Sequence, residues 1–292
     1  MEQQTTFFLK YLPMKISLVS MGTAMLPAYL GSTLRGAVGQ ALQHDTIAFN
    51  YLYNNRTLSK DGQDIVNPYV IVPPAINEAP YHAGEELSFH IYLLGEAAQY
   101  AQSLINALHD IQRLGLGASR YPFELKKVMQ SLDQRVIWQD GLFNVVAARS
   151  AILQYRSLSE IKKLTIRTHT PLRIRRDGAL LETVDFPIII RNITHRVEAI
   201  VTRYGGWVDT MEIARIQALS SEVFITQNHL ELKNMKRYSN RLEGKMDFSG
   251  LFGTIQFEGE LTPFVPWLYA AQTLHIGRNT TFGMGRIEVE FI

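Results

Sequence analysis

Apolar residues alternate with polar ones along parts of this chain and recur every three to four residues along others, and the change of period marks the elements. Residues 6–20 read as a strand, with Phe8, Leu12, Ile16 and Leu18 among its apolar positions. Leu30, Leu34, Val38, Ala41 and Leu42 then fall on one helical stripe. Pro27 suits a first turn, so the spacing predicts a helix opening there and running out near His44. Gly31, Gly36 and Gly39 sit inside it. Each disfavours the helix by about 1 kcal/mol relative to alanine, which implies close packing on a sheet or a bound backbone. Residues 45–65 are polar and aromatic without a period and read as an irregular insertion. Pro68–Pro73 is a short strand between prolines. In 86–94, Leu87, Phe89, Ile91 and Leu93 alternate with Ser88, His90 and Tyr92 as a second strand. A helix over 96–114 carries Ala97, Ala101, Leu104, Ile105, Leu108 and Ile111 on one face, with Gly115 at its C-cap. Residues 123–138 return as a strand.

Strand, helix, strand, strand, helix, strand is the split βαβ order of a ferredoxin-like fold. The second half repeats it. A strand covers 163–170, and Leu172–Arg176 continues it or forms a hairpin with Leu180-Leu181. A helix over 186–204 carries Ile189, Ile193, Val197, Ile200 and Val201, and ends at Gly205-Gly206. Long strands over 221–238 and 241–258 meet near Ser239-Asn240. A last helix covers 262–274 and a last strand 284–292. The expected fold class is therefore α+β, with two tandem ferredoxin-like (βαββαβ) domains. Their expected spans are 1–155 and 156–292, joined through the linker-like Tyr155–Glu160.

Composition narrows the partners. The chain has 292 residues, is 46% apolar and contains no cysteine. Disulfides and thiolate metal sites are thereby excluded. The N-terminus lacks a signal peptide's basic start and apolar core. Ile16–Leu30 is too short and too interrupted to span a bilayer. A cytoplasmic protein without membrane contact is expected. Net charge is only +2, so any anion-binding surface must be local.

One such surface is expected in the last eighteen residues, where Gly277, Gly283 and Gly285 bracket Arg278, Asn279, Thr280 and Thr281, and Arg286 follows. Exposed amides, two arginines, an asparagine and two hydroxyls would form a phosphate cradle. A tight, solvated helix-to-strand connection is the competing reading. The loop is neither a dinucleotide fingerprint nor a Walker loop, because it leaves a helix for a strand and no Gly-Lys-Ser/Thr follows.

Several blocks together carry a family resemblance: Pro27-Ala-Tyr-Leu-Gly-Ser-Thr-Leu-Arg-Gly-Ala-Val-Gly39, Asn67-Pro-Tyr-Val-Ile-Val-Pro-Pro74, Gly115-Leu-Gly-Ala-Ser-Arg120, Thr170-Pro-Leu-Arg-Ile-Arg175, Asp185-Phe186 and the terminal glycine-rich loop. In this order along the chain they resemble the CRISPR-associated precursor-RNA processing endoribonucleases, the sixth Cas family of the RAMP superfamily. The terminal loop alone is shared by many RAMP proteins. The resemblance implies binding of CRISPR repeat RNA and one metal-independent cut per repeat. The 2′-hydroxyl would attack the phosphorus, leaving a 2′,3′-cyclic phosphate and a 5′-hydroxyl. It implies no cofactor and no metal. It leaves open other Cas effector subunits as partners, and a monomer or a homodimer. The alternative within the superfamily is a non-catalytic RNA-binding subunit of an effector complex. Outside it, the alternative is a ferredoxin-like scaffold without a nucleic-acid role.

The chemistry needs proton transfer and positive charge at the phosphate. The resemblance points to His44, at the end of the first helix, as the proton-transfer group; a helix-terminal histidine that favours the dipole is the structural alternative. Tyr29 and Arg35 on the same helix are the other catalytic candidates, against core packing and a surface ion pair respectively. Arg56 and Lys60 are further sources of charge. His82, His90 and His109 read as structural, and His275 as an RNA contact or a helix cap. For RNA binding, Lys162, Lys163, Arg167, Arg173, Arg175 and Arg176 form a basic run flanked in sequence only by Glu160 and Asp177. Period two puts Arg167 with His169 and Arg173 with Arg175 on common faces. Lys236 and Arg237, with Lys233, Arg241 and Lys245, form a basic hairpin suited to an RNA groove. Edge-strand protection is the alternative there.

Overall fold

The computed structural model describes residues 6–54, 66–239 and 244–292, with the side chains of 236–246 left aside. In chain order its strands are β1 (Phe7–Phe8), β2 (Lys10–Ser20), β3 (Tyr69–Val72), β4 (Glu86–Leu94), β5 (Phe123–Gln130), β6 (Val136–Gln139), β7 (Leu142–Phe143), β8 (Ala151–Ile152), β9 (Lys163–Thr168), β10 (Arg175–Arg176), β11 (Ala179–Leu180), β12 (Trp207–Val208), β13 (Phe224–Asn228), β14 (Glu231–Lys233), β15 (Lys236–Ser239), β16 (Gly244–Asp247), β17 (Gly250–Phe252), β18 (Thr254–Glu258) and β19 (Ile287–Phe291). The helices are α1 (Gly31–Ala41), α2 (Thr46–Leu52), α3 (Ala101–Leu114), α4 (Phe186–Tyr204), α5 (Thr210–Leu219) and α6 (Val265–Leu274). None is long and apolar enough to cross a membrane.

Two compact units result. One comprises Leu9–Ile152 with Thr202–Gly206; the other comprises Leu153–Val201 and Trp207–Ile292 with the segment ending at Phe8. In the first, the sheet order is β3-β4-β2-β5, continued by β6 and β7. Numbering the four ferredoxin strands in chain order, this is 2-3-1-4, and every pairing is antiparallel. Period two sets its core. Leu12, Met14, Ile16 and Leu18 of β2 and Leu87, Phe89, Ile91 and Leu93 of β4 are buried, joined by Leu34 and Val38 of α1 and Leu104, Leu108 and Ile111 of α3.

In the second unit β13-β18-β9-β19 has the same 2-3-1-4 order. Leu164 and Ile166 of β9, Ile255 and Phe257 of β18, and Ile287 and Val289 of β19 point inward. There Phe186 of α4 packs its ring edge-on against Phe264, 4.8 Å between centroids. The fold is thus α+β with two ferredoxin-like halves.

Several elements depart from the pattern's expectations. The first helix begins at Gly31 rather than Pro27. The stretch expected to be irregular opens with α2, because Asp45 caps it by accepting from the Ala48 N–H at 3.0 Å. Residues 123–138 are not one strand: a turn after Gln130 folds them into β5 and β6. Between α4 and β13 lies α5, capped by Asp209, which accepts from the Met211 and Glu212 N–H groups. The long hairpin is broken into β13/β18, β14/β17 and β15/β16. Its tip near Asn240, and Arg56, Lys60 and Arg241, lie outside the described residues.

Candidate functional site

In the first unit α1 ends in a 3-10 turn, Leu42–His44. Leu42 is buried and holds the turn to the core, while His44 is exposed. His44 borders a cleft of about 210 Å³, lined also by Asp45, Ser103, Asn106, Ala107 and Asp110. Ser103, Asn106 and Asp110 recur at i, i+3 and i+7 on the polar side of α3. Asp45 is held below the usual carboxylate range first by a hydrogen bond from the Ser103 hydroxyl and then by the Ala48 N–H. The pattern reading missed these four polar residues. Asp45, a residue type favoured at helix N-caps, was the usable signal for a cap, and the polar stripe of α3 was the signal for the cleft.

The other two catalytic candidates are less accessible. Tyr29 is buried, 9% exposed, and burial pushes its hydroxyl well above the ordinary tyrosine range. Arg35 is half-buried with its guanidinium 5.1 Å from the centre of the Tyr53 ring, whose hydroxyl donates to the Arg35 carbonyl at 3.2 Å. The same ring explains one helix glycine: a Cβ on Gly39 would lie 2.6 Å from it. Gly36 has open space instead, so the expected close packing holds at one of these two positions.

In the second unit the glycine-rich loop corrects an expectation. Its amides are largely used by the protein itself. Arg278 N–H donates to Arg173 O, Phe282 and Met284 to Asn279 O, Gly283 to Thr280 O, Gly285 to Pro171 O and Arg286 to the Thr170 hydroxyl. Thr280 and Thr281 are buried, as are Gly283 and Gly285. Gly277 (φ +81°) and Gly285 (φ +71°) are needed because a Cβ would fall 2.4 Å from Arg173 O and 1.8 Å from Ile276 O. A row of exposed amides is therefore absent among these groups. The exposed chemistry of the loop is its two cationic side chains, Arg278 and Arg286, with Asn279 half-buried in left-handed backbone.

His275 is fully buried at the end of α6, so it does not face RNA. Its Nδ1 lies 3.2 Å from Met284 O. Burial, and then the neighbouring charge of Arg196, push its pKa down to about 3.

The basic run is corrected in two respects. Arg173 is a structural arginine, 3% exposed, with Nη1 donating to Ser249 O and Nη2 to Asp247 at 3.2 Å. It does not share an exposed face with Arg175, because Leu172 to Ile174 pack inward and the strand β10 begins only at Arg175. Lys162, Lys163 and Arg167 of the run are matched by acids from neighbouring segments. Register sets Arg167 beside Glu288 and Lys163 beside Glu258, and Thr165 lies between Gln256 and Glu290. His169 Nε2 meets the Glu288 carboxylate at 3.1 Å, and Lys162 pairs with Glu260. Sequence distance of about ninety residues or more hid these partners. Arg175 and Arg176 stand exposed on a small hairpin with β11. The hydrogen bond from the Arg278 N–H to Arg173 O places the glycine-rich loop alongside the segment that leads into that hairpin. Lys233 lies exposed, 4.9 Å above the Phe252 ring. Lys236 and Arg237 are on β15, with side chains outside the described set. Among the described residues no group of three or more His, Asp and Glu could hold a metal ion.

The chain thus has two ferredoxin-like halves, with an exposed histidine beside a cleft in the first and a basic hairpin beside a glycine-rich loop in the second. Residues 166–287 match the family model "CRISPR-associated endoribonuclease Cas6", and residues 9–151 match the model "AF_1859_N: N-terminal domain". The second half of the chain is thus similar to the Cas6 family. It is 20% identical over 278 residues to an uncharacterized protein of Archaeoglobus fulgidus, covering 89% of this chain and 91% of that one. Its fold is similar to a chain of a partial Cas6-RT-Cas1–Cas2 complex, with TM-score 0.65 and 11% identity. That match covers 98% of this chain but spans only 46% of the other. It is also similar to a Cas6 product complex, with TM-score 0.62 and 14% identity over 96% of this chain and all of that one.

Proposed function

We propose that this chain is a metal-independent endoribonuclease that binds CRISPR repeat RNA and cuts the precursor once per repeat. His44 is the proton-transfer group. The observation that supports the reading is His44 itself: an exposed imidazole at a helix end, bordering a cleft lined in part by polar side chains, where the family resemblance puts the active histidine. In the reaction the 2′-oxygen forms a bond to phosphorus and gives up its proton. The bond from phosphorus to the 5′-oxygen breaks and that oxygen gains a proton, leaving a 2′,3′-cyclic phosphate and a 5′-hydroxyl. Histidine suits either transfer near neutral pH, and cations must offset charge on the phosphoryl oxygens. Arg175, Arg176, Arg278 and Arg286 are the RNA-facing cations best supported by exposure, and Lys236 and Arg237 join them by sequence. Lys162, Lys163 and Arg167 contribute less, because glutamates face them. The likeness to a chain in an assembly with Cas1 and Cas2 supports partnership with other Cas proteins.

The test is incubation of the repeat RNA with the protein in excess chelator, followed by end-group analysis. Cleavage at one position with a cyclic phosphate and a 5′-hydroxyl is expected. Tight binding without any cut would favour the non-catalytic RNA-binding subunit and overturn the enzymatic reading.

A further inference from the structure

The cleft beside His44 is lined by no lysine or arginine. Its ionisable lining residues are Asp45, Asp110 and His44 itself. A carboxylate repels a phosphate, so the scissile phosphate belongs outside the cleft, on the exposed side of His44. Two polar groups of the lining are left for a ligand. Asp45 Oδ1 accepts the Ala48 N–H at 3.0 Å and so serves α2. Asn106 and Asp110 make no hydrogen bond or ion pair among the described residues. They stand four residues apart on α3, so both side chains leave the same face of the helix. Ala41, Leu42 and Ala107 supply apolar lining. At about 210 Å³ the cleft is smaller than the roughly 300–1,000 Å³ that a drug-sized ligand occupies, and it suits one planar ring system.

We infer that this cleft is a nucleobase pocket in which Asp110 and Asn106 select a guanine next to the scissile phosphate. This rests on the reading of His44 as the proton-transfer group. Unstacked RNA bases are recognised through hydrogen bonds on their Watson–Crick edges. On that edge guanine presents O6 as an acceptor, then N1–H and N2–H as two adjacent donors. An ionised carboxylate only accepts, through two oxygens, so it matches those two donors in a bidentate pair. The Asn106 amide, one turn away, donates to O6. The other bases fit worse. Adenine sets one donor beside the N1 lone pair, and cytosine sets one beside the N3 lone pair. Uracil has a single donor between two carbonyls. Each turns a lone pair toward the second carboxylate oxygen. A base seated in the cleft leaves its ribose at the mouth, beside the imidazole that borders the same space.

The experiment maps the wild-type cut in repeat RNA. It then measures single-turnover cleavage, at saturating protein, of RNAs with guanosine, adenosine, cytidine, uridine or inosine on either side of the scissile phosphate, any pairing partner being changed to match. His44→Ala runs in parallel. The wild-type cut is expected beside a guanosine, preferred over the other three standard bases by roughly 5- to 150-fold. Inosine lacks the N2 amino group and should fall between. Asp110→Asn offers one acceptor in place of two and should bring the ratio of guanosine to adenosine rates close to one. Asn106→Ala should lower that ratio by less. A His44-dependent cut with no base preference at either position overturns the pocket alone. So does an Asp110→Asn variant that keeps the wild-type preference, or that slows every RNA by the same factor, as a purely structural role would. A wild type that does not cut, or a His44→Ala that does, overturns the underlying reading and the pocket with it. If Asp110→Asn fails to fold, the base series on wild type and Asn106→Ala still decides.

Discussion

Glycine appears with similar density in α1 and in the segment 277–285, yet the two regions use it differently. Around α1 the helix surface is open at Gly36 and meets a side chain, the Tyr53 ring, at Gly39. In the C-terminal loop the neighbours are backbone carbonyls, those of Arg173 and Ile276, at distances no Cβ tolerates. The first region ends in an exposed histidine beside a polar cleft. The second uses the amides of Arg278, Phe282, Gly283, Met284 and Gly285 on carbonyls of the loop itself and of Pro171 and Arg173. A glycine-rich segment between a helix and a strand is thus no warrant for a free anion cradle, since the same residues are demanded by a chain that must pass close to itself. The chemistry left to the C-terminal region is that of its cationic side chains.

The contrast can be broken at several points. The largest effect is expected from Gly285→Ala, which puts a methyl group against Ile276 O at a positive φ. A loss of roughly 3–5 kcal/mol in denaturant unfolding is expected; a wild-type midpoint would mean the loop is not self-packed. Arg173→Ala removes the buried hydrogen bond to Ser249 and the pairing with Asp247, for about 2–3 kcal/mol. If it instead lowers RNA affinity at unchanged stability, Arg173 belongs to the binding surface after all.

His275 gives a pH test of the same packing. Its folded pKa is about 3, against 6.5 for the ordinary imidazole. Above pH 6.5 neither state binds the proton. Between 6.5 and 3 the unfolded chain takes a proton that the folded chain refuses, so stability falls as pH drops. The slope approaches about 1.4 kcal/mol per unit. Unfolding of wild type and His275→Gln at pH 7 and pH 5 should show this slope in the former and its loss in the latter; parallel curves would place His275 in contact with solvent. The smallest effect is at Gly36, where alanine meets nothing and should stabilise by about 0.5–1 kcal/mol. Destabilisation there would show that α1 packs closely on that side.

Legibility followed the range of each interaction. Period-two and helical stripes are local, so β2, β4, α3 and α4 could be read from sequence, and their order led to the ferredoxin-like topology that both sheets have. Caps are local as well, but Asp45 and Asp209 stood in polar surroundings without a strong stripe, and α2 and α5 went unread. The charge of β9 could not be judged locally. Glu258, Glu288 and Glu290 reach it only through strand register, about ninety residues or more away. The burial of Arg173 and the internal hydrogen bonding of the terminal loop likewise depend on partners such as Ser249 and Pro171. His44 is proposed on the family resemblance, while the cleft it borders could not be read from sequence, because its other wall belongs to α3.

The measurement that bears most directly on this account is single-turnover cleavage of repeat RNA by His44→Ala in chelator, with affinity determined on the same preparation. The account predicts a rate lower by about 10²–10⁴-fold with affinity unchanged. Cleavage at the wild-type rate and position by that variant would contradict it.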